Sequence, residues 1–242
     1  MRAAFIPALA FTLQLGLTAA LAQETTTTVE PAVPAVEAPA VTDPAATTVT
    51  ITETAAVTPP SSAAKDNPIS PDIISPDVIA EMRERIIQQV TILSIKAANE
   101  AHVGVDQATI DQMDATWKAE AETDDQPLIA EILSSPLSNY LLYIQAGSAG
   151  LYTEIFVMDK FGLNVGQSSV TSDYWQGDEG KFQKTYNVGP DAVFIDEAEF
   201  NEDTKTWRTQ VNLTVVDPAT KESIGAVTIE FNLTELQRRL QS

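Results

Sequence analysis

The chain has 242 residues, Lys+Arg 14 against Asp+Glu 34, a formal net charge of −20 and no cysteine. Absence of cysteine excludes disulfide staples, thiolate metal ligands and thiol nucleophiles. So strong an anion repels phosphate backbones and acidic membrane faces, which argues against a nucleic-acid partner.

Met1-Arg2 is a short basic start, Ala3 to Ala22 is largely apolar, and Ala20-Leu21-Ala22 supplies the small residues that a signal peptidase reads. Residues 1–22 therefore read as a signal peptide cut before Gln23, which makes the protein periplasmic or secreted. The competing reading is an uncleaved anchor, since about 20 apolar residues just span a bilayer. From 23 to 70 the chain is a Thr/Ala/Pro-rich linker, with prolines at 31, 34, 39, 44, 59 and 60 and no aromatic residue to seed a core.

Order is expected from Ser75, a helix N-cap, with Pro76 in the first turn. Ile79, Met82, Ile86, Val90, Leu93 and Ala97 recur at spacings of three and four, predicting one helix of about seven turns ending near Gly104. Asp106 to Glu120 reads as a polar helix with Trp117 as its packing handle. "QPLIAEILSSP" reads as a short helix stopped by Pro136. His102, the only histidine, has no acid or nucleophile beside it in sequence and reads as a charged or capping residue.

After "SNYLLYIQAGSAG" the period changes to two. Residues 151–169 form a hairpin, "LYTEIFVMD" returning as "LNVGQSS" around "KFG". The loop "TSDYWQGDEGKFQKTY" follows, with one or two helical turns from Asp178. "DAVFIDEAEF" is a third strand. "TWRTQVNLTVVD" alternates Trp207, Thr209, Val211, Leu213 and Val215 on one face with Arg208, Gln210, Asn212 and Thr214 on the other. "SIGAVTIEFNL" is the fifth strand, and "TELQRRLQS" a closing helix. The sequons at Asn212 and Asn232 fall on or beside expected strands. The expected fold is α+β: one domain over 71–242, a five-stranded antiparallel sheet with a long N-terminal helix on one face and a loop-covered second face. Aromatics and acids concentrated in the loop read either as a pocket lid or as anchors to the core.

Three stretches carry a resemblance: "FVMDKFGLNVGQSS", "TSDYWQGDEGKFQKTY" and "TWRTQVNLTVVDPATKESIGAVTIEFNLTEL". Together, over about residues 150–236, they resemble the hairpin with its Asp-x-x-Gly turn, the pocket loop and the closing strands of the extracytoplasmic Cache (PDC) sensor domains, which are PAS-like. The resemblance implies a small-molecule ligand under the loop, of amino-acid, amine or small-carboxylate class. It assigns ligand contacts to Tyr174, Trp175, Asp178, Phe182, Tyr186 and Asp196, the last at the position that grips a ligand's ammonium in amino-acid-binding members. Those members place an Arg before an aromatic pair to hold the carboxylate, whereas here Lys181 precedes Phe182 alone. Lys181, Lys184 or Arg208 is left to supply the cation.

The expected function is a sensor-type binding module without its own output domain, acting through a membrane receptor partner or as a homodimer through the long helix. The alternative is a ligand-free interaction or envelope-structural protein. With no Gly-x-Ser-x-Gly and no phosphate loop, no enzyme is expected, and no cofactor or metal is implied.

Overall fold

The computed structural model describes Lys65 and residues 68–242. The signal-peptide reading and nearly all of the linker reading lie outside the described residues. Packing begins before Ser75, because Ile69 and Ile74 are already buried in the core and Ser70 caps a 3-10 turn, Pro71–Ile73.

The expected single long helix is two. Helix α1, Pro76–Ile86, is capped by the Ser75 side chain, which accepts from the Val78 amide, and α2 spans Gln89–Ala101. In an unbroken helix the carbonyls of Glu84 and Ile86 would accept from the backbone amides four residues on. Here the Gln88 carboxamide takes the first and the Thr91 hydroxyl the second, in a run rich in β-branched residues that favour the helix less. The break re-phases the buried stripe. Met82 and Ile86 face the core from α1 and Thr91 and Ile95 from α2, while Leu93 and Ala97 of the expected stripe are exposed.

Helix α3, Gln107–Ala121, begins at Asp106, whose carboxylate accepts from the Thr109 amide. Helix α4, Pro127–Leu133, is capped by the Glu120 carboxylate, which accepts from the amides of Leu128 (2.8 Å) and Ile129 (3.0 Å). Pro136 does not merely stop a helix. It opens α5, Pro136–Gly147, behind the Ser135 cap, because proline suits the first turn, where its missing N–H has no acceptor to lose. Leu137, Leu141 and Ile144 are buried against the sheet.

The strands are β1 (Tyr152–Asp159), β2 (Asn164–Gln167), β3 (Val193–Ile195), β4 (Glu199–Asn201), β5 (Thr206–Val216) and β6 (Ser223–Asn232), followed by α7 (Leu233–Leu240). A four-residue helix, α6 (Gly180–Gln183), lies in the loop between β2 and β3. The sheet runs β2-β1-β6-β5-β3 with β4 also on β5, and every pair is antiparallel. The α+β, PAS-like class expected from the sequence is the class observed. The expected third strand is divided in two by a bulge: Ile195 pairs with Val211 and Glu199 with Arg208, four residues along one strand against three along the other.

One sheet face, with Ile155, Val157, Val211, Leu213, Val215, Val227, Ile229 and Phe231, packs on α1, α2 and α5. The β5 alternation is as expected on this side. The sequon asparagines are both occupied structurally: Asn212 is fully buried, and Asn232 caps α7 by accepting from the Glu235 amide.

His102, at the C-cap of α2, does have an acid partner, 57 residues away: its Nδ1 stands 2.6 Å from Asp159 Oδ2. Asp159 is fully buried, and its other oxygen accepts from the Phe161 and Leu163 amides, shaping the hairpin turn that Gly162 completes at φ +82°.

Gly225 lies where β6 passes under α2. A Cβ there would stand 2.1 Å from the Met158 carbonyl oxygen and 3.2 Å from Ile95 Cγ2. Gly225→Ala is expected to lower stability by about 3 kcal/mol through forced backbone displacement, read as a lower urea midpoint with unchanged slope.

Candidate functional site

On the second sheet face the register sets side chains in rows. Glu154, Glu230 and Gln210 lie opposite one another across β1, β6 and β5, and Phe156, Thr228, Asn212 and Phe194 form the next row. Residues 168–192 cross this face, held at two places.

The first is helix α3. Trp117, fully buried, stacks on Tyr174 with ring centroids 5.4 Å apart and donates from Nε1 to the Thr171 carbonyl at 2.8 Å. One turn away, Asp114 Oδ1 accepts from the amides of Tyr174 (2.9 Å) and Trp175 (3.1 Å). Lys118 joins Asp114 (2.7 Å) to Asp173 (2.6 Å). Positions 114, 117 and 118 share one helix face by their spacing. Trp175 donates from Nε1 to the Phe161 carbonyl at 2.9 Å and lies over Gly177, where a Cβ would meet the indole nitrogen at 2.4 Å. The second is the sheet itself: Phe182 and Tyr186 stack at 5.0 Å and pack with Phe156, Met158 and Ala226. The four loop aromatics are thus engaged in packing and Asp178 is exposed; none of the five lines the cavity described next. Burial pushes the Tyr174 hydroxyl up to about 12.

Between α6 and the β4–β5–β6 rim lies a cavity of about 260 Å³, lined by Glu179, Lys181, Asp196, Glu197, Glu199, Arg208, Glu230 and the strand residues Thr209 and Gln210. It brings Asp196 and Arg208 together. Five carboxylates face two cations, and both cations are already paired. Arg208 Nη1 lies 2.9 Å from Glu230 Oε2, and Lys181 Nζ 2.9 Å from Glu179 Oε2. Lys181 also donates to Gln176 Oε1 at 3.2 Å and stands 5.4 Å from the Phe156 ring centroid. Asp196, Glu197 and Glu199 form no ion pair among the described residues. Asp196 is held by its backbone, its amide donating to the Gln210 carbonyl (2.9 Å) and its carbonyl accepting from Thr209 Oγ1 (2.7 Å). Lys184, the other candidate cation, sits 4.0 Å over the Phe194 ring, away from this lining. A second cavity of about 320 Å³ lies against the same wall, lined by Pro71, Asp72, Ile195, Asp196, Glu197 and Ala198.

Glu154 adjoins the site. Burial, reinforced by Glu230 opposite, raises its pKa above the usual 4.5, against the pull of the Ser169 hydroxyl, Lys181 and Arg208. Sequence reasoning passed over Glu154 and Glu230, and weighed Glu179 only as one of several clustered acids. Alternation along "SIGAVTIEFNL", with Val227, Ile229 and Phe231 inward, was the signal that places Glu230 on the Arg208 face.

The chain is similar to several solved sensory domains. These include the ligand-binding domain of the Campylobacter jejuni chemoreceptor Tlp3 in complex with 4-methylisoleucine (10% identity, 70% of this chain and 66% of that one, TM-score 0.33). They also include the ligand binding domain of the Pseudomonas aeruginosa PAO1 amino acid chemoreceptor PctC in complex with GABA (11%, 69% and 64%, 0.35) and the E. coli DcuS sensor domain (18%, 56% and 100%, 0.33). The chain thus spans slightly less than two thirds of the Tlp3 and PctC domains. No protein-family model and no curated protein matches it.

Two outcomes test this geometry. Asp114→Ala removes the shared acceptor of two loop amides, which costs about 2 kcal/mol locally; exchange of the Tyr174 and Trp175 amides should accelerate by roughly tenfold or more, with that of the β1 amides unchanged. Because the folded pKa of Glu154 is raised, the folded state holds its proton over a range where the unfolded chain has lost it. Glu154 therefore favours folding at low pH and opposes it as pH rises through the raised value. Glu154→Gln should raise the melting temperature at pH 7, and the gain should shrink as pH falls toward 4.5.

Proposed function

We propose that this domain is a sensor-type module that binds a small molecule in the cavity between α6 and the β4–β5–β6 rim, outside the cytoplasm, with Asp196 and Arg208 as ligand contacts. The observation that carries this reading is the cavity itself: a concave site of about 260 Å³ on the open sheet face, roofed by an anchored loop and lined mostly by charged groups. Five carboxylates against two internally paired cations suit an ammonium-bearing ligand better than a dicarboxylate. Tyr174, Trp175, Phe182 and Tyr186 then serve the site by fixing the loop, with Asp178 on its exposed flank. The signal-like residues 1–22 support the extracytoplasmic placement. Among the described residues no helix is long and apolar enough to cross a membrane.

A second reading, an interaction protein working without a ligand, is favoured by exposed apolar side chains on α2 and α5: Leu93 at 56%, Leu142 at 51% and Tyr143 at 73%. That helical layer is also where a receptor partner or a second copy of the chain would dock.

Thermal melting of the purified chain against amines, amino acids, small carboxylates, purines and calcium separates the two. A ligand at about 100 times its dissociation constant adds roughly 2.7 kcal/mol, several degrees for a domain of this size. The expected result is a shift with amines that Asp196→Asn removes. A flat screen, with mass spectrometry showing no co-purified ligand, supports the second reading instead.

A further inference from the structure

Resting on the reading of this cavity as a ligand site, we infer that Glu179 is its specificity-determining residue: by neutralising Lys181 it makes the site take amines that lack a carboxylate and refuse the corresponding α-amino acids.

The two cations of the cavity are the groups able to receive a ligand carboxylate, and each is consumed at home. Arg208 is held by Glu230 across neighbouring strands at 2.9 Å. Both side chains are largely buried, so that pair belongs to the framework. Lys181 is held differently. Its side chain is 14% exposed, and its ammonium sits between Glu179 Oε2 at 2.9 Å, Gln176 Oε1 at 3.2 Å and the Phe156 ring at 5.4 Å. Of these partners only Glu179 carries charge, and its side chain, 37% exposed at the mouth of α6, is the easiest to remove without disturbing the core.

An incoming carboxylate meets a lysine whose charge is already balanced and an excess of acids around it. An incoming ammonium meets Asp196 and Glu197, which have no cation of their own among the described residues. Removing the Glu179 charge would leave Lys181 without a direct ion pair among the described residues, with Glu154 and Asp173 acting on it only at longer range; poised by Gln176 and Phe156 at the wall of the cavity, it would then form a charge-assisted hydrogen bond to a ligand carboxylate.

The test uses matched pairs that differ only in the carboxylate: cadaverine and lysine, histamine and histidine, tyramine and tyrosine, isoamylamine and leucine. Affinities are measured by calorimetry for the wild-type chain, Glu179→Gln, Glu197→Gln and the double variant Glu179→Gln/Lys181→Met. The wild type is expected to prefer the amine of the pair it binds. Glu179→Gln is expected to shift the amine-to-amino-acid ratio about tenfold toward the amino acid, the effect of one charge-assisted hydrogen bond. Glu197→Gln removes the same charge without freeing a cation and should weaken both members of a pair together, leaving their ratio near the wild-type value. The double variant should lose the gain.

A ratio unchanged in Glu179→Gln, or an equal shift in Glu197→Gln, overturns the inference while leaving the cavity a ligand site. Binding of no pair member by any of the four proteins overturns the ligand-site reading itself, and the inference with it.

Discussion

A single register, β5 against β6 with Gln210 opposite Glu230, decides what each face of this sheet can be. Side chains along a strand alternate, so a slip of one residue would exchange the two faces. With the observed pairing, Val211, Leu213 and Val215 meet Val227, Ile229 and Phe231 beneath the helices, and the polar residues between them are gathered on the far side. The helical layer fixes the choice, since the apolar face has nowhere else to be buried. The charged row on the other face follows from burial on the first: Glu154 and Glu230, like charges directly opposite each other, are an arrangement that a sheet would not adopt for its own sake. Arg208 offsets part of that repulsion, and a loop covers the rest.

The loop is held over the polar face from one helix. Asp114, Trp117 and Lys118 present an acceptor pair, a stacking surface and a bridging cation from consecutive turns of α3. The aromatic content of the loop is explained largely by this fastening and by the Phe182–Tyr186 stack on Phe156 and Met158. The charges that line the cavity are then free of structural duty in the core, apart from the Arg208–Glu230 pair.

How much of this was legible in the sequence depended on how local the determining interactions are. The hairpin at 151–169 and the long alternating strand were readable because period-two patterning and turn residues lie within the segment itself. The division of the first helix was not, because its cause is a competition for the Glu84 and Ile86 carbonyls by Gln88 and Thr91, and an apolar spacing of three and four does not register it. Helix α5 was hidden by Pro136, which marks a start as readily as a stop. The bulge at Asp196 needed the partner strand to be seen. In the site, Asp196 and Arg208 line the cavity; the resemblance had named Asp196 as a ligand contact, and Arg208 was one of three candidate cations whose direction no sequence pattern fixes. The pairing of Lys181 with Glu179, by contrast, turns on the conformation of a single helical turn, and the partnership of His102 with Asp159 spans 57 residues.

The interruption at Ile87 and Gln88 has a mechanical meaning for the helical layer. A continuous seven-turn helix is a stiff rod, and a push or twist at one end arrives at the other. Two rods with a joint between them behave otherwise: α1 is anchored in the interior by Met82 and Ile86 and α2 by Thr91 and Ile95, each with its own footing. Displacement along one axis is dissipated at the joint, so force passing from one end of this layer to the other is carried by what both rods lean on, the β-sheet and helix α5, whose Tyr140 hydroxyl donates to the Arg85 carbonyl of α1.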